Sequence, residues 1–366
     1  MDWPWPTGWG PAWSTWRWCN SIPRACSLAT PALSGTVLEE GLRGAGGHLF
    51  NGRMERYMER YDPARLERST RDIVSRSSYL EIVAGRGSPH GGVYIDVSHL
   101  GARFVEDNFP GMMERCRDVG FDLAREPVEV CPTAHYLMGG VKIDTACRSN
   151  LDSLFVAGED SAGVHGANRL GGNGVACSTV FGGIAGDSMA AYIAEKSTPE
   201  VADAQVHAVI ASIMAPFDRP SGEDVYILRD ELKELMWEKV GLVRHASDLE
   251  SAQKGLAMLR ERAQHVHVSG SPRLNAEWQE WLNLDSLLTV SDMIVASALQ
   301  RKESRGAHYR SDYPEPDNSH YLQNIYVQRE SEGMRLWLES VQCTRLQPPA
   351  FATPGLEQAY VAQEGE

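Results

Sequence analysis

The spacing of apolar and polar positions changes several times along this chain, and the changes divide it into segments. Residues 35–52, GTVLEEGLRGAGGHLFNG, read as a strand end, a glycine-rich loop and a short strand. Residues 68–87 predict a helix capped by Ser69, with Ile73, Ser77, Leu80 and Ile82 facing inward and Gly85 as its stop. VYIDVSHLG (93–101) predicts a strand, and the stretch from Phe104 to Val119 a second helix. A different pattern holds from Asn150 to Glu195: LDSLFVAGED is an apolar strand running into Gly158 and Glu159, a glycine-rich loop follows, and residues 175–195 form a long helix of small residues. Beyond a linker at Ser197–Glu200, residues 201–217, 223–243, 249–266 and 283–304 all carry apolar side chains at i, i+3, i+4 spacing. Leu228, Leu232, Leu235 and Met236 make one such stripe, opposite charged positions, so these stripes predict the core of a helical bundle. MRLWLESVQCTRLQPP (334–349) predicts a late strand pair, and the last dozen residues a tail. No internal repeat occurs.

The first 30 residues follow neither rhythm. Six of the ten tryptophans (Trp3, Trp5, Trp9, Trp13, Trp16, Trp18) fall there among Pro and Gly.

With 366 residues the chain has room for two or three domains. Its 42% hydrophobic and 23% charged residues are those of an ordinary globular protein, and a net charge of −14 argues against nucleic acid or an anionic membrane surface as partner. No uninterrupted apolar run approaches the ~20 residues of a spanning helix, and no signal-peptide layout opens the chain, so direct membrane insertion is not expected and the expected location is cytoplasmic. The seven cysteines are scattered without a C-x-x-C pair, which predicts reduced thiols rather than a disulfide framework or a zinc site.

The strand, glycine loop and close-packed helix at 151–195 form the layout of a nucleotide-cofactor site, because glycine admits a ligand to the backbone and a helix N-terminus favours electron-rich groups. Two further segments stand beside it: PTAHYLMGGVKID, with His135, and EEGLRGAGG, with Glu40 and Arg43, followed by Arg71. A histidine in such a stretch is expected to be buried. Together with E-S-R-G-A-H-x-R-x-D-x-P at Glu303–Pro314, the patterns H-Y-x-M-G-G at His135–Gly140 and A-G-E-x-x-x-x-x-H-G-A-N-R-L-G-x-N at Ala157–Asn173 occur in order. On these motifs the chain resembles the flavoprotein subunits of fumarate reductase and succinate dehydrogenase, a family that includes L-aspartate oxidase. The similarity runs from about Leu33 to Leu346, and residues 340–349 point weakly to the succinate/fumarate branch.

The resemblance implies an α/β chain, α+β overall: the C-terminal part of a Rossmann-like FAD-binding domain with an inserted capping domain, followed by a helical bundle. The implied divisions are an anomalous segment at 1–30, a substrate-capping domain at 31–130, the closing part of the FAD domain at 131–196, a helical domain at 200–310 and a C-terminal extension at 311–366. It also implies FAD as cofactor, with Glu159 on its ribose and Gly174 and Val175 against its ring system. His135, Arg169 and Gly172 would hold the carboxylates of a small dicarboxylate; a guanidinium fork binds a carboxylate bidentately. Arg71 would transfer the proton, replenished through Arg43 and Glu40. An iron–sulfur subunit is implied as electron partner, which would make the chain membrane-peripheral at most. The alternatives are an L-aspartate oxidase-like activity and a non-enzymatic product of a broken gene.

Four departures from the family pattern matter. No G-x-G-x-x-G follows a first strand, so the usual seat of the FAD pyrophosphate is missing. Glu39 stands where the family has Thr, and Asn173-Gly174-Val175 where it has N-S-L. The family's further substrate histidine, in a stretch like M-E-x-V-Q-F-H-P-T, has no counterpart before His48. Yet Trp16–Thr30, back-translated and read one base out of register, permits M-E-M-V-Q-F-H-P-T-G-L-L-A-G-D, with the histidine codon straddling Ser21 and Ile22. Residues 1 to about 30 are therefore expected to be a frame-shifted translation. Resequencing the DNA upstream of the Pro31 codon tests this, and the idea fails if no one-base shift restores the motif.

Overall fold

The computed structural model describes residues 37–38, 41–118, 120–196, 202–331 and 333–342, together with the backbone of residues 20–21. Glu39, Glu40, the remainder of 1–36, the 197–201 linker and everything after residue 342 lie outside the described residues, and with them most of the segment expected to be frame-shifted and the tail.

Asn20–Ser21 (β1) pairs antiparallel with Val37–Leu38 (β2). Next come α1 (Gly41–Gly44), β3 (His48–Phe50), α2 (Met58–Tyr61), α3 (Arg71–Glu81), β4 (Val93–Asp96), α4 (Ala102–Asn108), α5 (Pro110–Arg117) and β5 (Val128–Val130). The strands form an antiparallel sheet in the order β3-β4-β5, with His48 opposite Asp96 and Val93 opposite Val130. Period-two alternation sends Val93 and Ile95 into one core with Leu49, Val128 and Val130, and that core is closed by Leu42, Met58, Val74, Val105 and Met113 from the helices.

Two helix predictions need correction. Thr70, not Ser69, is the N-cap of α3, and the helix buries Val74, Ser77, Ser78 and Glu81, whereas Ile73 and Ile82 only flank the core. The polar buried face defeats an apolar-periodicity reading, because Tyr57 and Asn51 satisfy Ser78 and Glu81 from neighbouring segments. The helix expected over 104–119 is two, since Pro110 cannot continue a helix but readily starts one.

From 131 to 172 the chain is irregular. The apolar run predicted as a strand makes one bridge, Arg148 to Phe155, and Val141 pairs with Ser161. A strand needs a neighbour to satisfy its backbone, and among the described residues none lies beside it. The 23-residue helix α6 (Asn173–Glu195) follows. It buries only Cys177 and Ala185, while Val175, Val180 and Ile193 are 78%, 57% and 69% exposed.

Helix α7 (Asp203–Met214) leads into a bundle of α8 (Val225–Val240), α9 (Ala246–Ala263) and α10 (Ala276–Gln300). Leu228, Leu232, Leu249, Leu256, Leu284 and Leu288 fill its centre, each burial contributing roughly 1.5–3 kcal/mol. Asp224 and Asn275 cap α8 and α10 by accepting from first-turn N–H groups. Helix α10 is long and apolar enough to cross a membrane by composition, but its inner face is filled by α8 and α9, and its Asp292 pairs with Arg260 at 2.7 Å. After α11 (Asn318–Tyr321), β6 (Gln323–Glu330) and β7 (Gly333–Ser340) form a hairpin packed on α10 through Val327, Leu336 and Met293. The strand pair thus starts earlier than the sequence suggests: residues 323–330 supply its first strand, and 334–340 lie in its second. Every sheet among the described residues is antiparallel, an α+β arrangement.

Candidate active site

Four separate stretches of chain meet at the head of α6. Gly140 has no room for a side chain, because a Cβ there would collide with the Asp160 carbonyl; Val141 N–H instead donates to that oxygen at 2.7 Å. This zips His135–Gly140 against 158–162. Leu137 N–H then donates to Glu159 Oε1 at 2.7 Å, and Arg169 N–H to Met138 Sδ at 2.7 Å.

Arg169 is buried, its guanidinium lying 4.0 Å above the Tyr136 ring. One of its NH groups reaches the Leu170 carbonyl at 3.4 Å, and its Nε has no hydrogen-bond partner among the described residues. Burial lowers its pKa from the usual guanidinium value. A buried cation with an unused donor fits an anionic ligand, since leaving such a group unpaired costs several kcal/mol. Below it, burial, with the nearby Cys177 thiol and the Glu159 and Asp160 carboxylates, pushes the Tyr136 hydroxyl up to about 12. Burial also lowers His165 against the opposing pull of Glu159. The Tyr136 hydroxyl and His165 Nε2 share a hydrogen bond at 3.0 Å.

Arg71 opens α3 and reaches the same place: a Cβ on Gly171 would sit 3.1 Å from its NH2. Asn168 Nδ2 donates to the neighbouring Asp72 at 3.0 Å. Arg43, buried, donates to the carbonyls of Glu67 and Ser69 at 2.6 and 3.4 Å, so it underpins the turn into α3. A cavity of about 560 Å³ opens between Gly41, Arg43, Gly44, Ser69 and Arg71.

Gly172 adopts φ +77° as N-cap of α6, without a side-chain cap, so the first-turn N–H groups face outward beside Asn173, Gly174 and the exposed Val175. Gly174 is also a packing requirement: a Cβ would lie 3.0 Å from Arg169 NH1, so glycine here gives the arginine its room.

The structure thus brings Arg71, Arg169, Gly172 and Gly174 together, and Arg43 lines the same cavity as Arg71. His135 stands apart from these hydrogen bonds: its side chain is exposed beside Tyr136, which corrects the expectation of a buried histidine. Glu159, exposed, accepts from Leu137 N–H on Oε1. Glu40 lies outside the described residues. Sequence reasoning gives no role to Tyr136, Met138 or His165, although the first two stand inside the H-Y-x-M-G-G motif and His165 inside the glycine-rich one. Spacing alone does not show that they form the floor under Arg169.

The profile described as FAD binding domain matches residues 25–175, and that of the fumarate reductase flavoprotein C-terminus matches residues 229–353. The chain belongs to the fumarate reductase/succinate dehydrogenase flavoprotein family. An uncharacterised FAD-dependent oxidoreductase of Methanocaldococcus jannaschii is 40% identical over 309 residues, 84% of this chain and 55% of its own length. One subunit of the CoM/CoB fumarate reductase of Methanothermobacter marburgensis is 42% identical over 301 residues, 81% of this chain and 54% of its own length. The solved flavoprotein of Escherichia coli quinol fumarate reductase superposes with a TM-score of 0.81 at 32% identity, covering 90% of this chain and 59% of that one. The chain spans about half the length of the curated relatives it matches.

The family's FAD can be tested against the residues present. The uncapped head of α6, the bare backbone at Gly172–Gly174 and the exposed Val175 fit the ring-facing side of a flavin. The pyrophosphate-binding fingerprint does not occur in the sequence.

Proposed function

We propose that this chain forms the substrate-binding side of an FAD-dependent oxidoreductase that interconverts a saturated dicarboxylate and its alkene, as fumarate reductases and succinate dehydrogenases do. The observation that carries the reading is that Arg71 and Arg169, from distant parts of the chain, lie against Gly171 and Gly174 of the same short segment at the head of α6.

FAD, when bound, supplies the hydride. Arg169 holds one carboxylate through its unused Nε and its fork, with His135 and the Gly172 backbone beside it. Arg71 donates the proton to the carbon that gains negative charge. A carbanion is a far stronger base than water, so a guanidinium can serve there although it stays protonated at equilibrium. Arg43, with Glu40, restores that proton from the cavity side. Placement against the cofactor provides the rest. Glu159, Gly174 and Val175 would take the flavin's ribose and ring. Residues 31–130 act as the capping unit, 131–196 as the closing part of the FAD domain, 200–310 as the helical unit and 311–366 as a C-terminal extension. Because the M. marburgensis relative is one component of a multi-chain enzyme by its name, an electron-transfer partner, iron–sulfur in type, completes the scheme.

Titrating the full chain with succinate and with FAD tests this. Succinate affinity is expected to fall about 10- to 100-fold in R169A, and FAD to bind weakly because the pyrophosphate grip is absent. Succinate binding indifferent to both R169A and R71A would overturn the reading, and a preference for L-aspartate would transfer it to amino-acid oxidation. In a preparation loaded with FAD, the protein is expected to reduce fumarate, and R71A to abolish turnover while succinate still binds.

A further inference from the structure

Helix α3 carries Arg71 at its start, and its two long faces do different things. Val74, Ser77, Ser78 and Glu81 turn into the unit's own core. The opposite stripe, Asp72, Arg76 and Tyr79 at i, i+4 and i+7, touches three other parts of the chain. Asp72 accepts from Asn168, in the Arg169 loop, at 3.0 Å. The Arg76 guanidinium lies 4.3 Å from the centre of the Tyr309 ring. Tyr79 meets Trp237 of α8 edge-on, with ring centroids 6.1 Å apart.

Tyr309 sits in a turn that is bolted in place. Arg310, buried, donates to the carbonyls of Ala298 and Arg301 at 2.6 and 3.2 Å and makes a bidentate pair with Asp312 at 2.8 and 2.7 Å. His308, also buried, receives Arg244 NH1 on its Nδ1 at 2.8 Å. At the other end of the turn Ala307 N–H donates to the Ala167 carbonyl at 3.2 Å. Gly306, at φ +56°, has no space for a Cβ against the same oxygen. One rigid four-residue turn therefore touches the loop of Arg169 with Ala307 and the helix of Arg71 with Tyr309.

We infer that the Asp72–Arg76–Tyr79 stripe and the Gly306–Tyr309 turn form a polar seam that sets the separation of Arg71 and Arg169, with Arg76 and Tyr309 as positioning residues for dicarboxylate recognition. The recognition step rests on the proposed function, in which Arg169 holds a carboxylate of the substrate and Arg71 stands over the carbon that takes the proton. The seam itself does not: it is a set of contacts within the unliganded chain. Its contacts are a cation over a ring, one side-chain hydrogen bond and one edge-on aromatic pair, so loss of the central contact loosens the alignment without unfolding the core behind it.

Amide exchange of the full, unliganded chain tests the seam, comparing R76A, Y309L, Y309F and the double variant R76A/Y309L. Exchange at residues 71–74 and 168–174 is expected to rise about fivefold in R76A and in Y309L. Y309F, which keeps the ring, should match the parent, and the double variant should be no worse than either single one. Succinate affinity of the same proteins should fall by a similar factor. Unchanged exchange in R76A, equal damage from Y309F and Y309L, or additive effects in the double variant would each overturn the seam; if Y309L does not fold, R76A and Y309F decide. A parent chain that binds no succinate counts against the proposed function, and the exchange pattern still decides the seam.

Discussion

Glu81 is the sharpest place to test how α3 is held. Its carboxylate is fully buried at the end of the helix opposite Arg71. It accepts from Arg86 Nε and NH2 at 2.7 and 2.8 Å, from Asn51 Nδ2 at 2.8 Å, from Arg60 NH1 at 2.9 Å and from the Tyr61 hydroxyl at 2.8 Å. Burial alone would raise its pKa, but the bonds from Arg86, Asn51 and Tyr61 outweigh it and hold the group at about 2, against an ordinary 4.5. The folded value lies below the unfolded one, so the contribution to stability is complete above pH ~4.5 and disappears as the pH falls toward 2. At ~1.4 kcal/mol per unit the shift amounts to about 3 kcal/mol at neutral pH. Glu81→Gln keeps the shape and removes the charge. Because Arg60 and Arg86 are partly exposed and can turn to water, the expected loss is about 2–4 kcal/mol rather than the upper end for severed buried pairs. Exchange of β4 amides, which open only with this core, reads the loss directly. The gap between parent and variant should narrow by about 2 kcal/mol between pH 7 and pH 3. A gap below about 1 kcal/mol at pH 7, or one that does not change with pH, would refute the reasoning.

Further outcomes follow from the same contacts. Gly306→Ala must relieve both a positive φ and a collision with the Ala167 carbonyl, so it should destabilise by roughly 2 kcal/mol or more in thermal melts, whereas Gly85→Ala, positive in φ but in open space, should cost less. Tyr136→Phe removes the hydroxyl bonded to His165 but keeps the ring under Arg169, and should cost about 1 kcal/mol in unfolding free energy while leaving succinate affinity nearly unchanged. The exposed Val175, Val180 and Ile193 of α6 should give the chain strong binding of a hydrophobic dye, which Val180→Lys with Ile193→Glu should weaken without lowering the melting temperature.

Much of the site is legible before the fold, and its legibility has a physical basis. Arg169, Gly172 and Gly174 lie within six residues, inside one glycine-rich loop at a helix start, so local geometry alone keeps them together. The bundle is legible too: Leu228 and Leu232 repeat at helical spacing, and such stripes have few other places to go. Periodicity finds Ser77 on the inner face of helix α3 but misses Ser78 and Glu81, because their partners, Tyr57, Asn51 and Arg86, come from segments that hydropathy does not connect. The expected strand at 151–160 fails for the complementary reason: its apolar residues are there, but a strand exists only with a neighbour.

By itself the sequence determined which chemistry-bearing residues this protein has and which of them share a loop or a helix, since those facts depend on near neighbours in the chain. Only the tertiary structure decided that Arg71 reaches Gly171 across ~100 residues, that Tyr136 lies beneath Arg169, and that a turn around residue 307 touches both the Arg169 loop and the Arg71 helix. Those relations come from packing between segments, where a missing Cβ, a bidentate ion pair or a ring face sets a distance, and nothing in the local spacing of residues encodes it.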